Sequence, residues 1–152
     1  MKEKINGFDV IGISVRTTNQ DGKAMNDLAM LWNKFTSENI IEKIPNRFED
    51  KIYAIYTDYE GDHTMPYTAI IGCKVRSSDN IPKGMILRSV DTGDYMKFCT
   101  NGKLPDAVVM EWQKIWNLKI DREFIADFEV YHETSENSND PMVDIYIGVR
   151  DY

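Results

Sequence analysis

Two stretches of the chain place apolar residues with the spacing of an amphipathic helix. Residues 21–35 follow the i, i+3, i+4, i+7 pattern, and residues 101–115 follow the i, i+4, i+7 pattern. The positions are Leu28, Leu31, Trp32 and Phe35 in the first stretch, and Val108, Trp112 and Ile115 in the second. An Asp-Gly or Asn-Gly turn signal opens each stretch. The pattern therefore predicts two helices, each of which packs through one face.

Short runs rich in β-branched and aromatic residues surround both helices and end at turn formers. Such runs are typical of strands. The predicted strands are residues 8–18, 53–56, 71–74, 85–90, 95–100, 128–131 and 147–150. We expect residues 85–90 to pair with residues 95–100 through the turn at 91–94.

The two helical stretches also resemble each other residue by residue. DGKAMNDLAMLWNKF at 21–35 aligns without a gap with NGKLPDAVVMEWQKI at 101–115, at an offset of 101 − 21 = 80. Each half then has the order strand, helix, hairpin, over about 8–77 and 85–150. We predict a single domain, 1–152, of the α+β class. Its duplicated units form a pseudo-two-fold antiparallel sheet, with two helices on one face and a central ligand cleft.

Positions that break the repeat are candidates for function, because residues shared by both halves are explained by packing. Glu129 aligns with Ala54 of the first half, Tyr146 with Ile70, and Trp116 with Thr36. The shared pairs Trp32/Trp112 and Tyr56/Tyr131 are interpreted mainly as structural.

Strand alternation places Phe128 and Val130 on one face, and Glu129 and Tyr131 on the other. We expect the Phe128 face to pack under the helix together with the Val and Ile residues of the last strand. The opposite face would then present Glu129 and Tyr131 together with Asp144 and Tyr146. This face is either a solvated strand surface or the floor of a pocket with one carboxylate among aromatic rings. A pocket of that kind attracts cations and suits acid–base work.

The charge distribution argues against a nucleic-acid partner. The formal net charge is −7, with 10 basic and 11 acidic residues in 1–76 and 8 basic and 14 acidic residues in 77–152. Binding to phosphates needs clustered Lys and Arg, and the sequence has no such cluster. An acidic chain weakly favours cationic ligands.

The remaining composition points to a cytoplasmic protein with no membrane segment. No apolar run approaches the length of a membrane helix, and the N-terminus is not a signal peptide. The two cysteines, Cys73 and Cys99, do not form a disulfide framework. The histidines His63 and His132 lack the spacing of a metal site, and no phosphate loop is present, so we expect neither a metal nor a cofactor.

The chain resembles the gyrase-inhibitor-like (GyrI-like) effector-binding domains, and in particular their stand-alone and integron-associated members. The resemblance covers about residues 8–149 and depends on the duplicated strand–helix–hairpin, the Phe-Glu-Val-Tyr strand at 128–131 and the Val-Asp-Ile-Tyr-Ile-Gly-Val strand at 143–149. It implies two small α+β units with a central cleft that binds lipophilic, often cationic, aromatic compounds. It also implies ligand contacts from Glu129, Tyr146 and either Trp112 or Trp116, and Tyr131 shares the predicted face of Glu129. No helix-turn-helix precedes the domain, which argues against a direct role as a transcription factor.

Three functions remain open at this point. The first is a small-molecule binding protein, a monomer or homodimer, that favours lipophilic cations. The second is a hydrolase of reactive electrophilic toxins that uses Glu129 as its catalytic residue, as the resemblance implies for some stand-alone members. The third is a protein-interaction or inhibitor module, which an exposed apolar patch in place of a concave pocket would indicate.

Overall fold

The structure is a computed structural model that describes residues 2–62, 64–77, 79–101, 103, 106–132 and 142–150, so His63 lies outside it. Eight strands and three helices occur in the described part of the chain. The strands are β1 (Lys2–Ile5), β2 (Phe8–Thr17), β3 (Ile52–Thr57), β4 (Tyr67–Val75), β5 (Ile86–Val90), β6 (Gly93–Asn101), β7 (Arg122–Tyr131) and β8 (Met142–Val149). The helices are α1 (Lys23–Ser37), α2 (Ile40–Lys43) and α3 (Asp106–Trp116), and a 3-10 turn, Gln20–Gly22, precedes α1.

All eight strands form one sheet in the order β1-β6-β8-β7-β3-β4-β2-β5. Each pair of neighbours is antiparallel. The order reads the same from both ends once β2, β3 and β4 are matched with β6, β7 and β8. The α+β class and the antiparallel sheet of the sequence analysis are confirmed. The central pair, β3 and β7, lies where the two halves meet.

The outermost strands are exchanged between the halves. The predicted pairing of residues 85–90 with residues 95–100 is wrong, because β5 pairs with β2, with Phe8 opposite Val90. A strand absent from the prediction, β1, pairs with β6. Each edge strand therefore completes the sheet of the other half. A hydrogen bond of 2.7 Å from the Gly7 backbone N–H to Thr92 Oγ1 holds the two connecting segments side by side.

This exchange is possible because the sheet curls until its edges come close together. Phe8 in β2 and Phe128 in β7 have ring centroids 5.2 Å apart, although two strands separate them. In a flat sheet the two strands would lie roughly 14 Å apart, at about 4.8 Å per neighbour. The concave side holds an aromatic cluster in which Phe128 also contacts Tyr53, Tyr95 and Tyr146. We call this side the inner face.

The opposite side, here called the helix face, carries α1 and α3. Leu31 and Phe35 of α1 lie in the cluster of Ile11, Ile13 and Ile71. On the other half, α3 packs on the last strand: the buried cluster there is Val108, Ile115, Val143, Ile145 and Ile147. The helical periodicity of the sequence thus correctly identified the buried stripe of each helix.

The predicted face assignment of β7 is wrong. Glu129 is the direct cross-strand partner of Ile145, and Phe128 is the partner of Tyr146, so each pair shares a face. Glu129 therefore lies on the helix face with Ile145, whereas Phe128 and Tyr146 lie on the inner face. The alternation was read correctly, but both faces of this sheet are buried, so alternation could not say which face meets the helices.

Candidate functional site

A pocket of about 730 Å³ opens on the helix face between α1 and α3. Its size suits a drug-sized ligand. The walls come from both halves of the repeat, and the lining is mainly aromatic and aliphatic. The aromatic lining residues are Trp32, Tyr56, Tyr59, Tyr67, Trp112, Trp116 and Tyr131.

Glu129 lies in the wall of this pocket and is only 1% exposed. Trp112 Nε1 donates a hydrogen bond of 2.6 Å to one carboxylate oxygen, and the Tyr131 hydroxyl donates one of 2.7 Å to the other. The Tyr56 hydroxyl also hydrogen-bonds the carboxylate. Because Trp112 comes from α3 and Tyr131 from the same strand as Glu129, packing of the helix on the sheet fixes the carboxylate.

No cation of the described residues pairs with this carboxylate. Burial raises the pKa of Glu129, although the hydrogen bonds from Tyr131, Trp112 and Tyr56 act to lower it. Burial, and after it the nearby Glu129 carboxylate, hold the pKa values of Tyr56 and Tyr131 well above the ordinary value, so both hydroxyls stay protonated donors. An ionised carboxylate in such a place is costly unless a positive charge approaches it.

Two crossed aromatic pairs frame the carboxylate. Trp32 of α1 contacts Tyr131 with ring centroids 4.8 Å apart, and Trp112 of α3 contacts Tyr56 at 5.7 Å. Both pairs meet edge to face, and each joins the helix of one half to the central strand of the other. The aromatic frame is therefore nearly symmetric, and Glu129 is the charged group within it.

A second polar group in the pocket wall was absent from the sequence predictions. Arg122 lines the pocket, is 8% exposed, and donates from Nη2 to Asp127 Oδ2 over 2.7 Å. Asp127 also accepts hydrogen bonds from the Tyr59 hydroxyl, at 2.5 Å, and from the Gly148 backbone N–H, at 2.8 Å. No sequence pattern marks Arg122, because a bulge in β7 determines its position.

A family model described as "Cass2: Integron-associated effector binding protein" matches residues 3–149 of the chain. The chain belongs to this family. The expected relationship to integron-associated effector-binding proteins is thereby confirmed, and effector binding is the property that the family description carries.

Solved structures share the fold of this Cass2-family chain over nearly its whole length. An integron cassette protein from Vibrio cholerae is 32% identical, with a TM-score of 0.80 over 99% of this chain and 95% of that one. SAV2435, solved bound to tetraphenylphosphonium, is 18% identical, with a TM-score of 0.81 over 99% of this chain and 93% of that one. In sequence, YobU of Bacillus subtilis strain 168, provisionally named a transcriptional regulator, is 24% identical over 144 residues, which are 91% of this chain and 90% of YobU.

Four of the five predicted ligand-binding residues line the pocket of the Cass2-family chain: Glu129, Trp112, Trp116 and Tyr131. Trp116 is 40% exposed and lies where the pocket wall meets solvent. The fifth, Tyr146, lies on the inner face and stacks on Phe128 with centroids 4.7 Å apart. The expectation that Tyr146 shares a face with Glu129 is therefore wrong, because the register of β7 and β8 pairs Tyr146 with Phe128.

Asp144, also expected beside Glu129, lies on the inner face of the sheet, whereas Glu129 lies on the helix face. Its Oδ2 is 2.6 Å from His132 Nε2 and 3.8 Å from Lys97 Nζ.

In the part of the chain that the structure describes, no group of three His, Cys, Asp or Glu side chains is placed to hold a metal ion. Among the same residues, no helix combines the length and apolar character that a bilayer crossing requires.

Proposed function

We propose that this Cass2-family protein binds lipophilic organic cations in the pocket between α1 and α3. The single observation that carries the proposal is Glu129, a carboxylate that is 1% exposed, hydrogen-bonded by neutral donors and surrounded by aromatic rings. A bound cation would supply the counter-charge that the described side chains do not provide. This removes a cost of burial, which a neutral ligand of the same shape cannot do.

The aromatic frame supports the same class of ligand. Tryptophan and tyrosine faces attract cations through the ring quadrupole, most strongly where water is excluded. A lipophilic cation gains apolar contact with the rings and charge contact with Glu129 in one site. SAV2435, which shares the fold, has been solved with tetraphenylphosphonium, a ligand of this chemistry.

Binding of tetraphenylphosphonium, followed by quenching of tryptophan fluorescence, tests the proposal directly. All three tryptophans of the chain line the pocket, so the signal reports on this site. Glu129→Gln keeps the shape and a hydrogen-bonding end, and we expect it to weaken binding about tenfold or more, as one lost charge contact would. Glu42→Gln, an exposed carboxylate beside Arg47, serves as the matched control and should bind as the wild type does.

The binding measurements can contradict this proposal, and the two other functions predict different observations. Equal affinity of the wild type and Glu129→Gln, or no binding to either, would contradict it. The protein-interaction function predicted an exposed apolar patch in place of a concave pocket, and the concave site favours a small ligand instead. The hydrolase remains a hypothesis that Glu129-dependent turnover of p-nitrophenyl acetate would support.

A further inference from the structure

Arg122 is a buried guanidinium with most of its hydrogen-bonding capacity unused. It has five N–H groups, and its one hydrogen bond among the described residues goes from Nη2 to Asp127 Oδ2. Nε is fully buried and lacks an acceptor, whereas Nη1 is not fully buried and has no hydrogen-bond partner among the described residues. The side chain lines the same pocket as Glu129. Once a ligand covers the pocket wall, the Nη1 donor is cut off from water, and a donor left without a partner is unfavourable. Its place in the wall therefore points to an acceptor that arrives with the ligand.

The backbone is distorted in a way that places Arg122 there. Arg122 and Asp127 are five positions apart, so regular strand alternation would put them on opposite faces. The register of β7 against β8 shifts between these two residues, and the resulting bulge brings Arg122 to the face of Asp127. Within the bulge, Phe124 has φ of 54°, a conformation that is unfavourable for a bulky residue.

The strained residue also holds the guanidinium in place. The Phe124 ring lies 4.2 Å from the Arg122 guanidinium carbon and packs edge to face against Tyr59 at 5.7 Å. The centroid of the Trp112 ring lies 5.9 Å from the same carbon. Asp127 accepts hydrogen bonds from three donors on its two oxygens, and it neutralises the charge of the guanidinium. What Arg122 offers to a ligand is therefore a directed N–H donor in a locally neutral pair.

Trp112 lies next to both polar groups of the pocket. Its indole N–H meets Glu129, and its ring contacts Arg122. A ligand that covers this indole can place a cationic centre near Glu129 and an oxygen atom near Arg122.

We propose that Arg122 is a second recognition group, selecting lipophilic cations that also carry an oxygen acceptor such as an ester or ketone carbonyl. This inference depends on the proposed function, because it refines the ligand class of the same pocket. The recognised ligand then has two polar points on an otherwise apolar, aromatic body.

A matched pair of phosphonium probes tests the inference. Heptyltriphenylphosphonium and the ethyl ester of (carboxypropyl)triphenylphosphonium have side chains of equal length, and only the second carries a carbonyl. We expect the wild type to bind the ester about threefold to tenfold more tightly, the effect of one hydrogen bond. Arg122→Lys keeps a cation beside Asp127 but removes the guanidinium donors, and it should abolish this preference. Arg88→Lys, an arginine paired with Asp58 outside the pocket, should retain it.

A measurement on the wild type alone covers the case in which Arg122→Lys fails to fold. The Nε–H signal of Arg122 reports on the whole guanidinium group. It should move further downfield in the NMR spectrum on titration with the ester than with the heptyl compound, because only the ester adds a hydrogen bond. Equal affinities for both probes with equal Nε–H shifts would overturn the role of Arg122 while leaving cation binding intact. Failure of both probes to bind would instead overturn the proposed function and this inference with it.

Discussion

Ala54 and Glu129 are direct cross-strand partners on the two central strands, β3 and β7, and they are also equivalent positions of the two halves of the repeat. The pseudo-two-fold relation therefore brings a small apolar side chain and its charged counterpart face to face. The site is asymmetric at the one place where symmetry would put two carboxylates in contact.

A second carboxylate at position 54 should destabilise the protein in a pH-dependent manner. In Ala54→Glu the two buried carboxyls face each other, so the folded-state pKa of at least one rises further. A carboxyl with a raised pKa stabilises the fold at low pH, and that contribution is lost as the pH rises. Urea unfolding should thus show a larger deficit against the wild type at pH 8 than at pH 5. Ala54→Gln controls for size, and an equal deficit at both pH values would contradict the prediction.

Cation affinity should rise with pH because the raised pKa belongs to Glu129. The ionised carboxylate binds a cation better than the protonated one, and burial shifts ionisation to higher pH than the ordinary value. Tetraphenylphosphonium titrations between pH 4 and 8 should show affinity that increases and then levels off. In Glu129→Gln the same titration should be flat. If the affinity of that variant still changed with pH, a group other than Glu129 would be the cause.

The same raised pKa predicts a stability effect in the ligand-free protein. A folded state that holds the Glu129 proton more tightly than the unfolded chain is most stabilised at low pH, and it loses that stabilisation as the pH rises above the unfolded pKa of about 4.3. The difference in unfolding free energy between the wild type and Glu129→Gln isolates this contribution from the other carboxyls. As the pH increases, the unfolding free energy of the wild type should fall relative to that of Glu129→Gln. A rise instead would mean that folding lowers the pKa of Glu129.

Trp112→Phe should affect binding more than Trp32→Phe. Trp112 donates to Glu129, whereas its counterpart Trp32 packs on Tyr131 without touching a carboxylate oxygen by a hydrogen bond. Loss of the Trp112 donor leaves the buried carboxylate less satisfied, at a cost of about 1–3 kcal/mol, and moves the pH midpoint of cation binding upward. Trp32→Phe should leave that midpoint in place. The comparison is informative even if both variants lose apolar contact area.

Tyr146→Phe separates the two faces of the sheet. Tyr146 stacks on Phe128 on the inner face, so removal of its hydroxyl should leave tetraphenylphosphonium affinity within about twofold of wild type. Tyr131→Phe removes a donor to Glu129 and should weaken binding several-fold. If Tyr146→Phe instead weakened binding more than Tyr131→Phe in the same fluorescence titration, Tyr146 would belong to the ligand site.

The sequence was informative where the pattern itself was unambiguous. The stripe of Leu31 and Phe35 identified the buried face of α1, and the repeat singled out Glu129 because its partner is Ala54. The orientation of β7 was not predictable, since Phe128 and Glu129 are both buried, on opposite faces of the sheet. Only the register with the neighbouring strand decides which of them meets the helices.

Arg122 and β5 lay beyond pattern reasoning for a different reason. A bulge changes the face of Arg122 without changing the residue types around it. The pairing of β5 with β2 depends on the curl of the whole sheet, whereas turn signals report only on neighbours in sequence. Local propensity favoured the short hairpin, and the long-range pairing prevailed.

The exchange of β1 and β5 has a consequence for the history of the chain. In this arrangement one repeat receives its outermost strand from the other, so an ancestral single-copy protein would have completed the same sheet by trading strands with a second molecule. Gene duplication and fusion would have placed that trade within one polypeptide. From then on the two copies could diverge, and a charge could be introduced into one of them without being doubled across the axis. An obligate dimer of identical chains has the same residue at both equivalent positions, so it could not have evolved the difference between Ala54 and Glu129.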